Sequence, residues 1–328
     1  MKKFFSLLLL IVLLLSCSFF ALTACNDKKV YTASIEDIPS TENPNDFYII
    51  DNLGNKVKFD SKPKRLAMMS GSFADLAQKV GGDVVCYTVD AIEERKMTFS
   101  EDSINAGSLK NPNAESIIKS NPDIVVMSSE LSSHIKLRES LVASGLKVVM
   151  FRTETFEEYL DLLAVFSYML DNNDAYYDLG LSIKNDIEKT IKKAQEKNEE
   201  KSVLLMRAFS TKVKARDSKN LVGDIIKDLG GVNIAEQGGS IYPDLELSNE
   251  LIVQADPDYI FVVVMGDYNE ALSYLKDKII DANPKLWNSL SAVKNDRFII
   301  LEKDYFHYKP NEKWNVSYEK MFDYLYNR

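Results

Sequence analysis

The sequence predicts an α/β fold in which two units, each built on a parallel sheet, are joined by one long helix. From residue 65 onward, short apolar runs alternate with helical segments, and this alternation favours parallel strands covered by helices on both faces. Residues 155–198 interrupt the alternation, since they are almost wholly helical in composition apart from a break at 172–174. The alternation resumes at residue 203, so the long helical stretch lies between two similar units.

The first residues form a typical export signal. Two lysines follow the initiating methionine, an apolar run extends over residues 4–20, and small residues precede Cys25. This order predicts a lipoprotein signal peptide over residues 1–24, with diacylglycerol on Cys25 after cleavage. A transmembrane helix is the alternative, but the apolar run is only just long enough to span a bilayer. Cys17 is a weaker lipidation candidate because Leu15 is bulky where a small residue is usual.

Two further segments lie between the predicted signal peptide and the first α/β unit. Residues 25–46 are polar, contain two prolines and lack an apolar period, so they are predicted to be a flexible tether. Apolar runs at 48–50 and 57–59 then flank the turn residues 51–55, which predicts a β-hairpin.

The first α/β unit follows from the alternating pattern. Its predicted elements are a strand at 65–69, a helix at 73–80 before Gly81-Gly82, a strand at 84–87, a helix at 112–120, a strand at 124–127, a helix at 137–144 and a strand at 147–151.

The second unit repeats much of this order. Its predicted elements are a strand at 203–206, a helix at 222–229 before Gly230-Gly231, a short helix at 249–254, and strands at 259–265 and 297–301. In both units a short helix leads to Pro-Asp and a strand, at 121–124 and at 256–259. The shared order indicates a weak internal duplication of architecture.

Composition excludes several classes of protein. The 328 residues suffice for about two domains after removal of the signal. The net charge of -9 argues against nucleic acid as a partner. Of three cysteines only Cys86 remains in the body of the protein, so no disulfide is expected and Cys86 is predicted to be a buried apolar residue.

The chain carries little that suggests catalysis. It has no Gly-x-Ser-x-Gly elbow, P-loop, Cys-x-x-Cys or His-Glu-x-x-His motif. Asp217, Asp224 and Glu236 could serve in acid–base work, but nothing in the pattern pairs them. We therefore expect no enzyme and no intrinsic cofactor. A surface-anchored α/β enzyme and an adhesin or structural lipoprotein remain the alternatives.

Several segments in fixed order resemble a known family. They are Pro63-Lys64-Arg65-Leu66, Gly81-Gly82, NPNAESIIKSNPDIVVMSS, GDIIKDLGGVNIA, LSNELIVQADPDYIFVVVMG and LWNSLSAVKNDRFIIL. The chain is similar to the substrate-binding lipoproteins of ABC importers for ferric siderophores, haem and cobalamin. The resemblance implies two Rossmann-like lobes with central parallel sheets, joined by a single long α-helix, with the ligand in the cleft between them. The expected domains are 47–156 and 201–328 for the lobes, with a helical segment at 157–200.

The resemblance also implies partners and a location. An exposed glutamate on each lobe docks onto arginines of the permease in this family, and Glu115 and Glu250 match these two positions. A glutamate in the first turn of a helix also complements the helix dipole, which is the simpler explanation of each residue. We expect a monomer that is lipid-anchored at the extracytoplasmic face of the cell membrane and delivers a small molecule to an ABC permease and its ATPase.

Ligands of open α/β sheets bind beyond the carboxyl ends of the strands, and this rule selects the candidate binding residues. They are Met69, Ser70, Ser72, Phe73, Arg95, Ser129, Arg207, Lys212, Lys214, Arg216, Tyr242, Tyr268, Tyr305, His307 and Lys309. Lys309 and Asn311 stand where many relatives carry Arg-Pro-Gly, so the contacts of this turn are left open.

The basic residues at 207–216 favour an anionic metal chelate, because arginine offers bidentate hydrogen bonds and lysine a point charge. We therefore expect a ferric siderophore, and after it a tetrapyrrole, haem or cobalamin. His307 or a tyrosine would contact iron only if the ligand is haem. Two histidines are too few for a clustered bare-metal site, so no direct metal site is expected.

Overall fold

The structure of the protein, a computed structural model, describes residues 47–236 and 249–327. The predicted signal peptide, Cys25, the tether and Tyr242 lie outside these residues. Within the described part of the chain, no helix is both long and apolar enough to cross a membrane.

The first lobe is a parallel sheet with helices on its faces. In chain order its elements are β1 (Phe47–Ile50), β2 (Lys56–Phe59), β3 (Arg65–Met68), α1 (Gly71–Val80), β4 (Asp83–Tyr87), α2 (Asp90–Glu93), β5 (Ile104–Asn105), β6 (Gly107–Ser108), β7 (Asn111–Pro112), α3 (Ala114–Lys119), β8 (Ile124–Ser128), α4 (Ser132–Ala143) and β9 (Val148–Phe151). The sheet has the strand order β5-β4-β3-β8-β9, and every neighbouring pair is parallel. The predicted hairpin is present as the antiparallel pair β1–β2.

A helical segment joins the two sheets. It contains α5 (Phe156–Met169), α6 (Asn173–Tyr176), a π-helical turn (Tyr177–Leu181) and α7 (Ser182–Lys197). A capping box between Thr155 and Glu158 starts α5, and the Asn172 side chain caps α6. The chain is helical without interruption from Asn173 to Lys197, as the composition predicts.

The second lobe has a mixed sheet. Its elements are β10 (Lys201–Phe209), β11 (Lys212–Ala215), α8 (Leu221–Asp228), β12 (Gly231–Asn233), a 3-10 turn (Ile234–Glu236), α9 (Asn249–Ala255), β13 (Tyr259–Val264), α10 (Tyr268–Tyr274), a π-helical turn (Leu275–Ile280), α11 (Pro284–Trp287), α12 (Ser291–Lys294), β14 (Phe298–Ile300), α13 (Lys303–Phe306), a 3-10 turn (Asn311–Lys313) and α14 (Trp314–Tyr326). The strand order is β11-β10-β13-β14, with β12 also beside β10, and only β11 runs antiparallel.

One apolar core extends through both lobes. It includes alternate residues of the central strands, such as Leu66 and Val126 in the first sheet and Leu205 and Phe261 in the second. The opposite faces of the two sheets are covered by separate, smaller clusters. Because both faces of each sheet are buried, the central strands consist of continuous apolar runs. Their positions could therefore be predicted from the sequence.

Three local predictions differ from the structure. The segment from Arg207 to Arg216, predicted as a loop after a strand, is mostly the β10–β11 hairpin. Helix α4 begins at Ser132 rather than near residue 137, because its first turn is polar and carries no apolar period. The α14 helix was not predicted at all. Its aromatic residues have only moderate helix propensity. The helix gains its stability from packing on α7 and, through the buried Trp314, on Phe156 and Tyr159 of α5.

The fold class is confirmed: two lobes with parallel sheets joined by a long helical segment. The residue bounds of the domains stay a prediction.

Candidate functional site

A cleft of about 260 Å³ lies between the lobes, beyond the carboxyl ends of strands from both sheets. It is lined by Ser70, Ser72, Phe73, Asp90, Glu94, Arg95, Leu109, Ser128, Glu130, Leu131, Phe151, Thr153, Glu154, Arg207, Leu221, Val263, Met265, Phe306, His307, Tyr308 and Lys309. The wall from the first lobe (Ser70 to Glu154) is called the first wall below, and the wall from the second lobe (Arg207 to Lys309) the second wall.

The start of α1 is held against α2 at the bottom of the first wall. The Gly71 backbone N–H donates to Asp90 Oδ2 at 2.7 Å. A Cβ atom at Gly71 would lie 2.8 Å from the Ala91 backbone nitrogen, closer than real contacts allow, so glycine is needed for this approach. Ser70 and Ser72 flank Gly71 and their hydroxyls are 2.9 Å apart. The first wall therefore presents a fixed pair of hydroxyls.

His134 ties two segments of the first wall together. Its Nδ1 accepts the Ser128 backbone N–H at 3.0 Å, so Nε2 carries the ring proton and donates to the Leu109 carbonyl at 2.6 Å. The side chain is fully buried, and burial lowers its pKa, which keeps the ring neutral as this arrangement requires. Both ring nitrogens are used by the backbone, so His134 serves the cleft by holding its lining in place.

The second wall contributes the cations that meet Glu154. Lys309 forms an ion pair with Glu154, which lies on the first wall just after β9. The Arg207 guanidinium approaches the same carboxylate, with Nη2 at 3.9 Å from Oε2. The Leu221 backbone N–H, at the start of α8, donates to Glu154 Oε2 at 3.2 Å. One carboxylate of the first lobe is thus surrounded by three electropositive groups of the second.

Two neighbouring carboxyl groups have opposite pKa shifts. Burial raises the pKa of Glu154, but the charges and hydrogen bonds of Lys309 and then Arg207 outweigh it and hold the pKa at about 2. Burial and the negative charge of Glu154 raise the pKa of Glu130 to about 7. Glu154 is therefore ionised at neutral pH, whereas Glu130 titrates there.

The turn from Lys309 to Asn311 links the two walls. Asn311 adopts the left-handed conformation with φ of 51°, which glycine occupies most easily and asparagine tolerates well. Its buried amide donates to the Ser72 carbonyl at 3.0 Å and to Asp75 Oδ2 at 2.6 Å. Arg95 donates to the Lys309 carbonyl at 2.7 Å. The contacts of this turn, left open by the sequence, are thus contacts across the lobes.

His307 lies in the second wall as a neutral ring. Burial first, and then the positive charges of Lys303, Arg207 and Lys309, lower its pKa to about 4. A neutral imidazole in a cleft can accept a hydrogen bond or bind a metal centre.

The candidate residues divide into three groups. Those that line the cleft are Ser70, Ser72, Phe73, Arg95, Arg207, His307 and Lys309. Those that lie elsewhere in the described structure are Met69, Ser129, Lys212, Lys214, Arg216, Tyr268 and Tyr305. Met69 is buried in the core, and Tyr305 lies under the ammonium group of Lys320, 4.7 Å from its ring centre. Tyr242 belongs to the undescribed residues.

The acidic part of the first wall was missed. Glu130 follows β8 and Glu154 follows β9, so the carboxyl-end rule that selected other residues would have selected both. An anionic ligand favours basic side chains, so the sequence alone did not single out these acidic residues. Asp90 and Glu94 were missed although they follow β4, in the segment that supplied Arg95.

The docking candidates lie on short helices. Glu115 is exposed in the first turn of α3, whose N-cap is Asn113. Glu250 lies at the start of α9, and its side chain is outside the described structure.

Comparison with known proteins gives the family. The profile of the family described as "Periplasmic binding protein" matches residues 69–305. The Fe(3+)-citrate-binding protein YfmC of Bacillus subtilis (strain 168) is 24% identical over 262 residues, which cover 79% of this chain and 79% of that protein. The petrobactin-binding protein YclQ of the same organism is 25% identical over 253 residues, covering 76% and 77%.

Solved structures show the same fold. The crystal structure of an ABC transporter substrate-binding protein from Listeria monocytogenes EGD-e superposes with a TM-score of 0.69 at 17% identity, covering 82% of this chain and 100% of that one.

Proposed function

Because the chain belongs to the periplasmic binding protein family, we propose that it is the substrate-binding lipoprotein of an ABC importer and captures a ferric chelate in the cleft between its lobes. The family consists of binding proteins, and the prediction that the chain is not an enzyme is confirmed. The similarity to a ferric citrate-binding and a petrobactin-binding protein supports iron as the transported metal.

The observation that carries the proposal is that cations on one wall of the cleft face hydroxyl groups on the other. Lys309 and Arg207 lie on the second wall, and the hydroxyls of Ser70 and Ser72 lie on the first. Ferric chelates of carboxylate, catecholate or hydroxamate groups present oxygen atoms that accept hydrogen bonds from both kinds of group. Apolar side chains such as Phe73 and Met265 complete the lining and suit the carbon skeleton of a chelator.

A thermal-shift panel on the full chain tests this proposal. Ferric citrate, ferric catecholate and hydroxamate siderophores, haem and cobalamin are each added in large excess. A ligand at about 100 times its Kd adds ~2.7 kcal/mol to the free energy of unfolding, which is easily detected. We expect a ferric chelate to give the largest shift. A folded chain that none of these ligands stabilises would overturn the proposed cargo.

Delivery would use the two glutamates. We expect Glu115 and Glu250 to dock the lobes onto basic residues of the permease, whose ATPase drives import. Exposed ion pairs are individually weak, so they set the register of the complex more than its affinity. The variant Glu115→Arg combined with Glu250→Arg should lose iron uptake while ligand binding is unchanged. The exposed Glu139→Arg on α4 is the matched control.

Anchoring would use Cys25. We expect Cys25 to carry diacylglycerol and palmitate and to hold a monomer at the extracytoplasmic face of the membrane, since two or more acyl chains anchor stably where one does not. Incorporation of labelled palmitate into the chain, and its loss in Cys25→Ser, tests this. Labelling that persists in Cys25→Ser and is lost in Cys17→Ser would move the anchor to the earlier cysteine.

Haem is the second candidate ligand, and His307 is the observation that favours it. Its ring is neutral, lines the cleft and lies 5.1 Å from the Tyr308 ring, so a planar ligand would meet both a nitrogen donor and an aromatic face. Titration with haem should then give a Soret shift that is lost in His307→Phe. No spectral change with the wild-type chain would exclude haem in favour of a ferric chelate.

A further inference from the structure

Glu154 reaches from the first lobe into a cationic pocket of the second. It follows β9, yet its three electropositive contacts, Lys309, Arg207 and the Leu221 N–H, all belong to the second lobe. Only 12% of its side chain is exposed. The contacts therefore take place in a largely desolvated site, where charge–charge interactions are stronger than at the surface.

The three groups around Glu154 form an anion pocket in their own right. Lys309 supplies a point charge and Arg207 a planar fork of donors. The first turn of α8, an eight-residue helix capped by Asn220, adds the Leu221 backbone N–H and the positive end of the helix dipole. Burial lowers the pKa of Arg207, and the positive charge of Arg216 nearby lowers it further.

Glu154 fills this pocket incompletely. Arg207 Nη2 lies 3.9 Å from its carboxylate, beyond hydrogen-bond distance. Within the described structure, Arg207 Nε is buried and has no hydrogen-bond partner. A carboxylate seated nearer Arg207 could accept two parallel hydrogen bonds from the guanidinium, the geometry in which this pair is strongest. The pocket thus has more capacity for an anion than Glu154 uses.

We propose that Glu154 is a built-in stand-in for a ligand carboxylate, and that a carboxylate of the transported chelate displaces it from the pocket of Lys309, Arg207 and the start of α8. This inference rests on the proposed function and narrows it, because it selects ferric chelates that carry a free carboxylate. Glu154 then sets specificity by competition: a ligand without a carboxylate leaves it in place, and a ligand with one replaces it.

Glu130 suits this exchange. It lies beside Glu154 and 3.9 Å from Lys309 Nζ, and burial and Glu154 raise its pKa to about 7. With its pKa raised in this way, Glu130 is more readily protonated than an ordinary glutamate, and the protonated carboxyl group can donate a hydrogen bond to a neighbouring carboxylate. A protonated Glu130 can therefore stay beside either Glu154 or a ligand carboxylate without charge repulsion.

The first test compares Glu154→Gln with the control Glu157→Gln, which removes one exposed carboxylate three residues further along. Isothermal titration of the full chain with ferric citrate should show about a tenfold tighter Kd for Glu154→Gln, since the amide no longer competes for Lys309 and Arg207. Glu157→Gln should match the wild type. A ferric hydroxamate without carboxylates should gain nothing from Glu154→Gln.

The second test measures anion binding to this pocket in the absence of iron. In Glu154→Ala the missing side chain leaves room for a small carboxylate, so acetate should raise the Tm of this variant saturably. Acetate should not do so in the wild type, nor in Glu154→Ala combined with Lys309→Met. If Glu154→Ala does not fold, the shorter side chain of Glu154→Asp gives a second variant, in which ferric citrate should again bind more tightly.

The outcomes separate this inference from the function on which it rests. The proposal that Glu154 stands in for a ligand carboxylate would be overturned by either of two results. One is equal or weaker binding of ferric citrate by Glu154→Gln, and the other is the absence of an acetate effect on Glu154→Ala. Glu154 would then be a direct ligand contact or a permanent link between the lobes. If acetate raises the Tm of Glu154→Ala but the wild-type chain binds no ferric chelate, the anion pocket is supported and iron as the cargo is overturned.

Discussion

The two walls of the cleft differ in charge in a complementary way. The first wall carries the carboxyl groups of four acidic residues, several hydroxyls and one cation, Arg95, which is paired with Asp75. The acidic residues are Asp90, Glu94, Glu130 and Glu154. The second wall carries Arg207, Lys309 and His307 among apolar side chains. Across the cleft, Glu154 and Lys309 neutralise each other. Neither lobe alone brings these groups together: the first supplies most of the carboxylates and hydroxyls, the second supplies the cations that meet Glu154, and a ligand held between them would replace or bridge their mutual contacts.

The largest expected effect comes from removing the cation of the second wall. Lys309→Met should weaken ferric citrate binding by about 100-fold, or ~2.7 kcal/mol, because a desolvated carboxylate would lose its charged partner. Isothermal titration measures this loss. The control Lys313→Met removes an exposed lysine on the same segment and should bind normally. Equal affinities for the two variants would contradict the assignment of the donor role to the second wall.

The first wall should respond to loss of its internal link. His134→Leu leaves the Ser128 N–H and the Leu109 carbonyl without their partner, which should lower the free energy of unfolding by about 2 kcal/mol. Urea denaturation measures the change. His134→Gln, whose amide can both donate and accept, should lose less. A stable His134→Leu variant would mean that the wall is held by other contacts.

The connection between the walls can be weakened at Asn311. Asn311→Gly keeps the left-handed backbone but loses the hydrogen bonds to Ser72 and Asp75, which should cost about 1 kcal/mol. Asn311→Ala should cost about 2 kcal/mol, because a Cβ without a local hydrogen bond adds the left-handed penalty. Thermal unfolding ranks the two variants. The opposite ranking would show that the backbone conformation contributes little.

The smallest effect is the pH dependence from Glu130. Its pKa is about 7 in the folded chain and near 4.5 when unfolded, so the folded state binds more protons between these values. Stability from this group is thus full below pH 4.5 and declines as the pH rises to 7. Since 36% of the side chain is exposed, screening reduces the effect to about 1 kcal/mol.

Glu130→Gln should be more stable than the wild type at pH 8 and equal at pH 4. A constant difference across this range would contradict the shift.

Much of the fold was predictable from the sequence, whereas less of the site was. Fully buried strands such as β8 and β13 read as apolar runs, and Gly81 and Gly230 marked helix ends where a positive φ is needed. The carboxyl-end rule located Ser70, Ser72 and Lys309 at the cleft. It did not separate Arg207 from Lys212, because the choice depends on where the β10–β11 hairpin turns, and strand length there is set by pairing between distant residues.

The sequence by itself determined the architecture, since hydrophobic periodicity and turn residues are local properties that each segment carries with it. The tertiary structure decided the chemistry of the cleft. Glu154 and Lys309 are separated by 155 positions, and Asn311 reaches Ser72 across 239. No local pattern encodes such pairs. They exist because the carboxyl ends of the strands of both sheets face one cleft, and only that placement brings an acidic loop and a basic turn into one candidate site.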